Sequence, residues 1–298
     1  MTELLGGIEA GGTKFVCVVG RSSGEIIERA RIDTTTPAVT LAETVRFFRD
    51  AGERRGPVAA FGVASFGPLD LAPTSPTYGR ITRTPKANWS GADLVGPLVS
   101  QFGMPVAIDT DVNGAALSEA RWGAGTGHRS VVYVTAGTGI GGGIAVDGRA
   151  LPGLIHPEMG HLRVPRHPYD HEFRGVCPFH GDCLEGLASG PAVLARWGQR
   201  LDQLPNDHPA CEVVGFYLGQ LCAAIALMVS PSVIVLGGGL TLDGRIYPFV
   251  RNAAREQLAG YLEHPRLCES FDDFIVPPGL ADQAGALGAL ILAQSALR

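Results

Sequence analysis

A chain of 298 residues with 45% apolar side chains has enough material for two cores, since domains run to roughly 100–200 residues. Its net charge is −5, with no basic patch and no split into acidic and basic halves. A nucleic-acid partner is therefore not expected.

The most apolar stretch, 218–236, is broken by Ser230-Pro231. It reads as a buried helix followed by a buried strand, so no membrane partner is expected. Met1-Thr2-Glu3 lacks the basic start and apolar run of a secretory leader. Six cysteines in a chain of this length are too few for a disulfide-built secreted scaffold. A cytoplasmic location follows as the expectation. Cys17 and Cys222 stand in apolar runs and are expected as buried thiols.

In chain order, residues 4–19 read as strand, turn, strand, with Gly11-Gly12-Thr13 as the turn. Residues 26–32 give a third strand. Residues 40–54 give a helix with Leu41, Val45 and Phe48 on its apolar side. A short buried strand covers 58–65. Residues 91–102 predict a helix with an irregularity at Pro97, and 105–108 a strand with Asp109 to Asn113 at its carboxyl end. A helix continues over 115–122. The second half repeats the opening: strand 130–135, turn Gly137-Thr138-Gly139, strand 141–146. This weak internal repeat predicts two similar α/β domains facing a cleft. A buried strand at 233–236 leads into Gly237-Gly238-Gly239, and a last helix covers 281–297, packed on the first domain. Gly279 and Asp282 stand at its start, where a helix N-terminus would suit a nucleotide phosphate.

Several constellations carry chemistry. Glu9-Ala10-Gly11-Gly12-Thr13-Lys14 combines a turn that a phosphate can approach closely with a hydroxyl and a positive charge; an ordinary hairpin turn would also use Gly-Gly. The run from Gly137 to Gly143 holds five glycines in seven residues. A turn needs one or two, so the surplus points to a ligand lying against the backbone. Gly237 to Gly239 follow a strand end, where α/β sheets bind ligands. Asp109 and Asp111 put two carboxylates near a strand end, and either could serve as a base; a helix cap formed by Asp111 or Asn113 is the structural alternative. Cys177-Pro178-Phe179-His180-Gly181-Asp182-Cys183 spaces two thiols and an imidazole for zinc. His161 is the best fourth ligand, with His156, His167 and His171 as rivals. Glu158 and Glu185 then stay available for sugar hydroxyls. Asn88 can donate and accept to the same groups, or the Asn88-Trp89 loop is simply anchored by its Trp.

Together these segments resemble the ROK family (repressors, open reading frames and kinases) of the actin-like, hexokinase-like ATPase superfamily. The resemblance runs over nearly the whole chain. Its carriers are the Glu9 to Lys14 hairpin, Asp111-Val112-Asn113, the Gly137 to Gly143 run, His156-Pro157-Glu158-Met159-Gly160-His161 and the Cys/His loop ending in Glu185-Gly186. His180 replaces a cysteine of the family's commoner zinc loop, a departure that resembles the bacterial fructokinase version. Glu9 stands where many sugar kinases of the superfamily have Asp.

The resemblance implies two ribonuclease-H-like domains around a nucleotide and sugar cleft. The first covers 1–115, completed by helix 282–298; the second covers 116–281, with the zinc loop at 156–186. It implies ATP-dependent phosphorylation of a free hexose, D-fructose first, with Mg2+ alongside the nucleotide and a structural Zn2+. Asp111 would be the base. Asn88, Asn113, Glu158, His161 and Glu185 would line the sugar site, and His161, Cys177, His180 and Cys183 would hold zinc. Gly11, Gly12, Thr13, Lys14, Thr138, Gly139, Gly237, Gly238 and Gly239 would meet nucleotide. A homodimer is the expected assembly. The family's repressors carry a DNA-binding domain before the first Gly-Gly-Thr; here that motif arrives by residue 11, so an enzyme is expected. Kinases of glucose, mannose or an N-acetylhexosamine, and a sugar-sensing regulator without turnover, are the alternatives.

Overall fold

The computed structural model describes residues 3–298. The chain forms two compact units. One comprises residues up to 121 with 148–156 and 280–298, and the other 122–147 with 157–279.

In the first unit, β1 (Leu5–Ala10), β2 (Lys14–Gly20) and β3 (Ile26–Asp33) form an antiparallel meander, and β4 (Ala60–Ser65) and β5 (Val106–Thr110) add parallel strands beside β1. The sheet order is β3-β2-β1-β4-β5. Helices α1 (Pro37–Arg55), α2 (Gly96–Phe102), α3 (Asp111–Trp122) and α9 (Ala284–Ser295) cover it. Every residue of β4 is buried, as expected of a parallel strand covered on both faces. Its alternation sets the two covers. Phe61 meets Phe48 of α1 and Phe102 of α2, each with ring centroids 5.0 Å away. On the other face, a side chain at Gly62 would overlap Ala289 O and Ala293 N, so α9 rests directly on strand backbone. Gly288 of α9 meets Gly114 of α3 backbone to backbone in the same way. The small residues of this last helix are therefore there for close packing.

Several helix starts differ from expectation. α1 begins at Pro37, three residues before the expected start at 40, because proline favours the first helical turn. Its buried side is Thr40, Thr44, Phe48 and Ala51. The threonines are tolerated there because both hydroxyls are satisfied: Thr40 donates to Asp33 O at 3.0 Å and Thr44 to Thr40 O at 2.9 Å. Leu41 and Val45 are only half-buried beside them. α2 starts at Gly96, not 91, and Pro97 opens it instead of bending it. Asp93 Oδ1 accepts from the Gly96 N–H at 2.7 Å to fix that start. α3 runs unbroken from Asp111 to Trp122, through the domain boundary expected at 115.

In the second unit, β6 (Ser130–Ala136) and β7 (Ile140–Val146) form an antiparallel hairpin. β9 (Val233–Gly237) lies parallel to β6, and β10 (Ile275–Val276) parallel to β9. The two-residue β8 (Arg149–Ala150) belongs to segment 148–156. The second unit repeats the plan of the first: a hairpin whose first strand takes a parallel neighbour from later in the chain. Its helices are α4 (Leu184–Ala188), α5 (Gly190–Trp197), α6 (Ala210–Met228), α7 (Tyr247–Leu258) and α8 (Pro265–Cys268). The apolar α6, read from sequence as a buried helix, is long and apolar enough to cross a membrane by length and composition alone. Here it is a core helix: Val214, Tyr217, Leu218 and Leu221 have no exposed surface. Cys17 and Cys222 are buried thiols as expected, with burial pushing both up to about 12.

Candidate active site

In the first unit, chemistry gathers where β5 passes into α3. Asp109 lies within β5, one residue before its end, and Asp111 opens the helix. The helix cap, weighed for Asp111 or Asn113 as the structural alternative, falls to neither. Thr110 Oγ1 accepts from the Asn113 N–H at 3.2 Å, the N-cap geometry. Asn113 is buried, and its Nδ2 donates to Asp109 Oδ1 at 2.7 Å. Asp109 also accepts from the Thr110 N–H. The Asp109 carboxyl is thus engaged in local structure. Asp111 spends one oxygen on the Val112 N–H at 2.9 Å. Burial raises its carboxyl above the usual carboxylate range, opposed by hydrogen bonds to backbone and by the nearby His156.

The β1–β2 turn is local in origin. The Gly11 N–H donates to Lys14 O at 3.0 Å, and Thr34 Oγ1 donates to Gly11 O at 2.7 Å. Thr13 and Lys14 are exposed, and a Cβ placed on Gly12 would meet no protein atom within 4 Å. Glu9 stands in β1, just before this turn. Its Oε2 is buried without a hydrogen-bond partner. Burial first, then the Asp111 charge, raises its carboxyl to about 7, against lowering by Lys14 and Arg29. A side chain at Gly285 in the first turn of α9 would overlap this carboxyl, so Gly285 makes room for it. Asp282, expected near nucleotide, pairs with Arg29 at 3.2 Å. Asn88 is exposed in left-handed backbone (φ 68°), and Trp89 beside it is wholly buried, donating from Nε1 to Thr35 O at 2.9 Å.

In the second unit the β6–β7 turn and the loop after β9 come together. Leu240 N–H donates to Ala136 O at 2.9 Å, and Gly238 (φ 98°) lies so close to Ala136 that any side chain would overlap its backbone. Thr138 and Gly239 are exposed, and a Cβ on Gly239 would meet nothing within 4 Å. Glu185, in the first turn of α4, accepts from the Ile140 N–H at 3.0 Å. The glycine surplus has a partly internal cause. A Cβ on Gly139 would lie 2.7 Å from Glu185 Oε2, and one on Gly142 would overlap Met159 Sδ. At least these two glycines make room for protein groups.

The residues 156–186 divide between the units. His156 does not join the cysteines. It is 6% exposed and accepts at Nε2 from the Leu69 N–H, 3.0 Å away. His167 is buried against the Phe216 ring, and His171 is exposed. His161, Cys177, His180 and Cys183 do converge, their ligand atoms all within 4.8 Å of one another. His161 Nδ1 is 3.7 Å from Cys177 Sγ and 3.5 Å from Cys183 Sγ, and His180 Nδ1 is 3.7 Å from Cys177 Sγ. Burial and the neighbouring Cys177 push the Cys183 thiol up to about 11, against a backbone hydrogen bond from Gly186. The opposite nitrogen of His161, Nε2, lies 4.0 Å from the Glu158 carboxylate. Within the same segment, Asp170 accepts from Arg196 Nε and Nη2 and from the Tyr217 hydroxyl, which ties it to α5 and α6.

Two sheets of one plan, with glycine turns at strand ends and an acidic β5–α3 junction, are consistent with an actin-like ATPase. A family model for the ROK family matches residues 5–296, and the chain belongs to that family. It is 44% identical over 295 residues to a putative fructokinase of Bacillus subtilis, covering 99% of this chain and 97% of the relative. It is 46% identical over 297 residues to a fructokinase of Zymomonas mobilis, with the same 99% and 97% coverage. Among solved structures, the ROK hexokinase from Thermus thermophilus superposes with a TM-score of 0.77 at 26% identity, covering 99% of each chain. A ROK family glucokinase from Streptomyces griseus in complex with glucose and AMPPNP gives 0.76 at 25% identity, covering 98% of this chain and 99% of that one.

Proposed function

We propose that this chain is an ATP-dependent fructokinase that phosphorylates the 6-hydroxyl of D-fructose, with Asp111 as general base. One observation carries the catalytic part. Asp111 opens α3 without having to cap it, because Thr110 does so. Asp109, the rival base, is tied to Asn113 and Thr110. The sugar comes from the relatives named fructokinase, which are 39% to 46% identical over essentially the whole chain.

The step is a single in-line displacement. The fructose O6 attacks the γ-phosphorus, the new O–P bond forms as the bond to the β-phosphate oxygen breaks, and ADP leaves. The hydroxyl proton passes to Asp111. Burial suits Asp111 to this, because a base with a raised pKa accepts a proton more readily. Glu158, His161 through Nε2, Glu185 through the oxygen not on Ile140, Asn113 and Asn88 are proposed to orient the sugar hydroxyls.

ATP fits the glycine turns. Gly12 and Gly239 leave room for a ligand where a Cβ would touch no protein atom. Gly11, Thr13 and Lys14 of the first unit, and Thr138, Gly139, Gly237 and Gly238 of the second, are proposed to meet nucleotide, with Lys14 near phosphate. Mg2+ bound with the nucleotide would neutralise phosphate charge; the orphaned Glu9 oxygen and Asp111 are the acidic groups suited to hold it or its waters.

Zinc fits the four-residue cluster. Tetrahedral zinc with Zn–S about 2.3 Å and Zn–N about 2.0–2.1 Å requires sulfur and nitrogen ligands about 3.6 Å apart; the three measured separations are 3.5 to 3.7 Å. Four protein ligands leave no open position, so zinc would be structural, fixing the loop that ends at Glu185.

The test is ADP release by the purified chain with ATP and Mg2+ across fructose, glucose, mannose and N-acetylglucosamine. Fructose should give the highest kcat/KM. A higher value for another sugar would reassign the substrate. No sugar-dependent ADP release would leave a binding protein.

A further inference from the structure

The β6–β7 turn is anchored at both shoulders by the two helices that follow the Cys/His cluster. The N–H of Gly190, the first residue of α5, donates to Gly137 O at 2.7 Å. The Ile140 N–H donates to Glu185 Oε2, in the first turn of α4, at 3.0 Å. All four residues belong to the second unit. Between the anchors stand Thr138, which is exposed, and Gly139, which is half-buried. The fit around the second anchor is tight. A Cβ on Gly139 would lie 2.7 Å from Glu185 Oε2, and a side chain at Gly160 would overlap Ile140 O. The turn and the carboxylate are in direct contact, so one cannot shift far without the other.

We propose that Glu185, besides orienting a sugar hydroxyl, is a positioning residue for the nucleotide: through Oε2 on the Ile140 N–H it fixes the Thr138-Gly139 turn on which phosphate rests. The proposal rests on the kinase reading, which puts ATP on this turn. Glu185 touches no atom of ATP in this scheme. It acts through a charge-assisted hydrogen bond to backbone, a strong class of hydrogen bond. Its negative charge by itself would repel phosphate, so the geometry and the charge of this residue make opposite predictions.

Binding of AMPPNP with Mg2+ to the purified chain in the absence of sugar, followed by calorimetry, reads the turn alone. Glu185→Gln keeps an oxygen for the Ile140 N–H at the same reach and removes the charge. Glu185→Ala removes the oxygen. The AMPPNP Kd should stay within about 3-fold of the parent in Gln and weaken about 10-fold in Ala, the scale of one lost hydrogen bond. A role confined to the sugar predicts the parent Kd in both variants, and charge repulsion alone predicts tighter binding in both; either result would overturn the proposal, as would equal losses in the two. Should Glu185→Ala fail to fold, Glu185→Asp decides. Its carboxylate is one methylene too short to keep the bond, and it should weaken AMPPNP as Ala would; a parent-like Kd would overturn the proposal. Failure of the underlying reading looks different. A parent chain that does not bind AMPPNP overturns the nucleotide assignment of the turn and this proposal with it. Fructose affinity unchanged in Gln and Ala overturns the sugar role of Glu185, while the AMPPNP comparison still decides its role at the turn.

Discussion

Asp111→Asn is expected to lower kcat by about 10²–10⁴-fold, the usual worth of a general base, while fructose KM stays close to the parent value. The change is nearly isosteric. The Asn carboxamide oxygen can still accept from the Val112 N–H as Asp111 Oδ1 does, and Thr110 still caps α3. Helix and fold should therefore survive, with Tm essentially unmoved. What is lost is a group able to take up a proton. Steady-state kinetics with fructose and ATP, beside a thermal melt, separate the two. An Asn variant that turns over within a few-fold of the parent would remove Asp111 from the chemistry, and Asp109 would have to be reconsidered despite its hydrogen bonds.

The second large effect is expected at the zinc cluster. Cys183 is wholly buried immediately before α4, so Cys183→Ser alters the cluster and the helix start together. Elemental analysis should find about one zinc per parent chain, as one four-ligand site requires, and none in the variant. A stability loss of about 3–5 kcal/mol, on the scale of the larger single-site effects, would lower Tm by roughly 6–20 °C. Fructose KM should rise as well, because Glu185 follows two residues later on the same short helix. The kcat at saturating fructose should fall less, since zinc takes no part in the phosphoryl step. Parent protein purified without metal and still melting at its usual temperature would contradict the zinc reading.

Features encoded locally were legible before any coordinates. The β1–β2 and β6–β7 hairpins follow from glycine turns between apolar runs, and the Cys177, His180, Cys183 spacing follows from one short loop. The repeated hairpin also anticipated two sheets of one plan. Other features depend on partners far along the chain. His156 was open to several roles because the atom that fixes it, Leu69 N, lies 87 residues away. The excess glycines of the second hairpin suggested only a ligand, since nothing local reveals that Met159 and Glu185 press against that turn. The cap of α3 is neither of the two residues weighed for it. By sequence the strand ends at 108 and the helix begins at 115, whereas β5 runs in register with β4 to Thr110 and the helix begins at the next residue.

Glu9 combines both levels. Its place in the hairpin motif was plain from sequence. Its enclosure between Asp111 and Gly285, and the resulting rise of its carboxyl to about 7, arise only when α9 returns to the first sheet from the far end of the chain. Burial and the Asp111 charge favour the protonated form of this carboxyl, and a bound cation would favour releasing the proton.

The central claim, transfer from ATP to the 6-hydroxyl of fructose, is tested most directly by identifying the product. Purified chain, ATP, Mg2+ and fructose can be followed by phosphorus NMR. Fructose 6-phosphate and ADP should appear in equal amounts as ATP is consumed. Fructose phosphorylated at another hydroxyl, or ATP consumed with no phosphorylated sugar, would contradict the account.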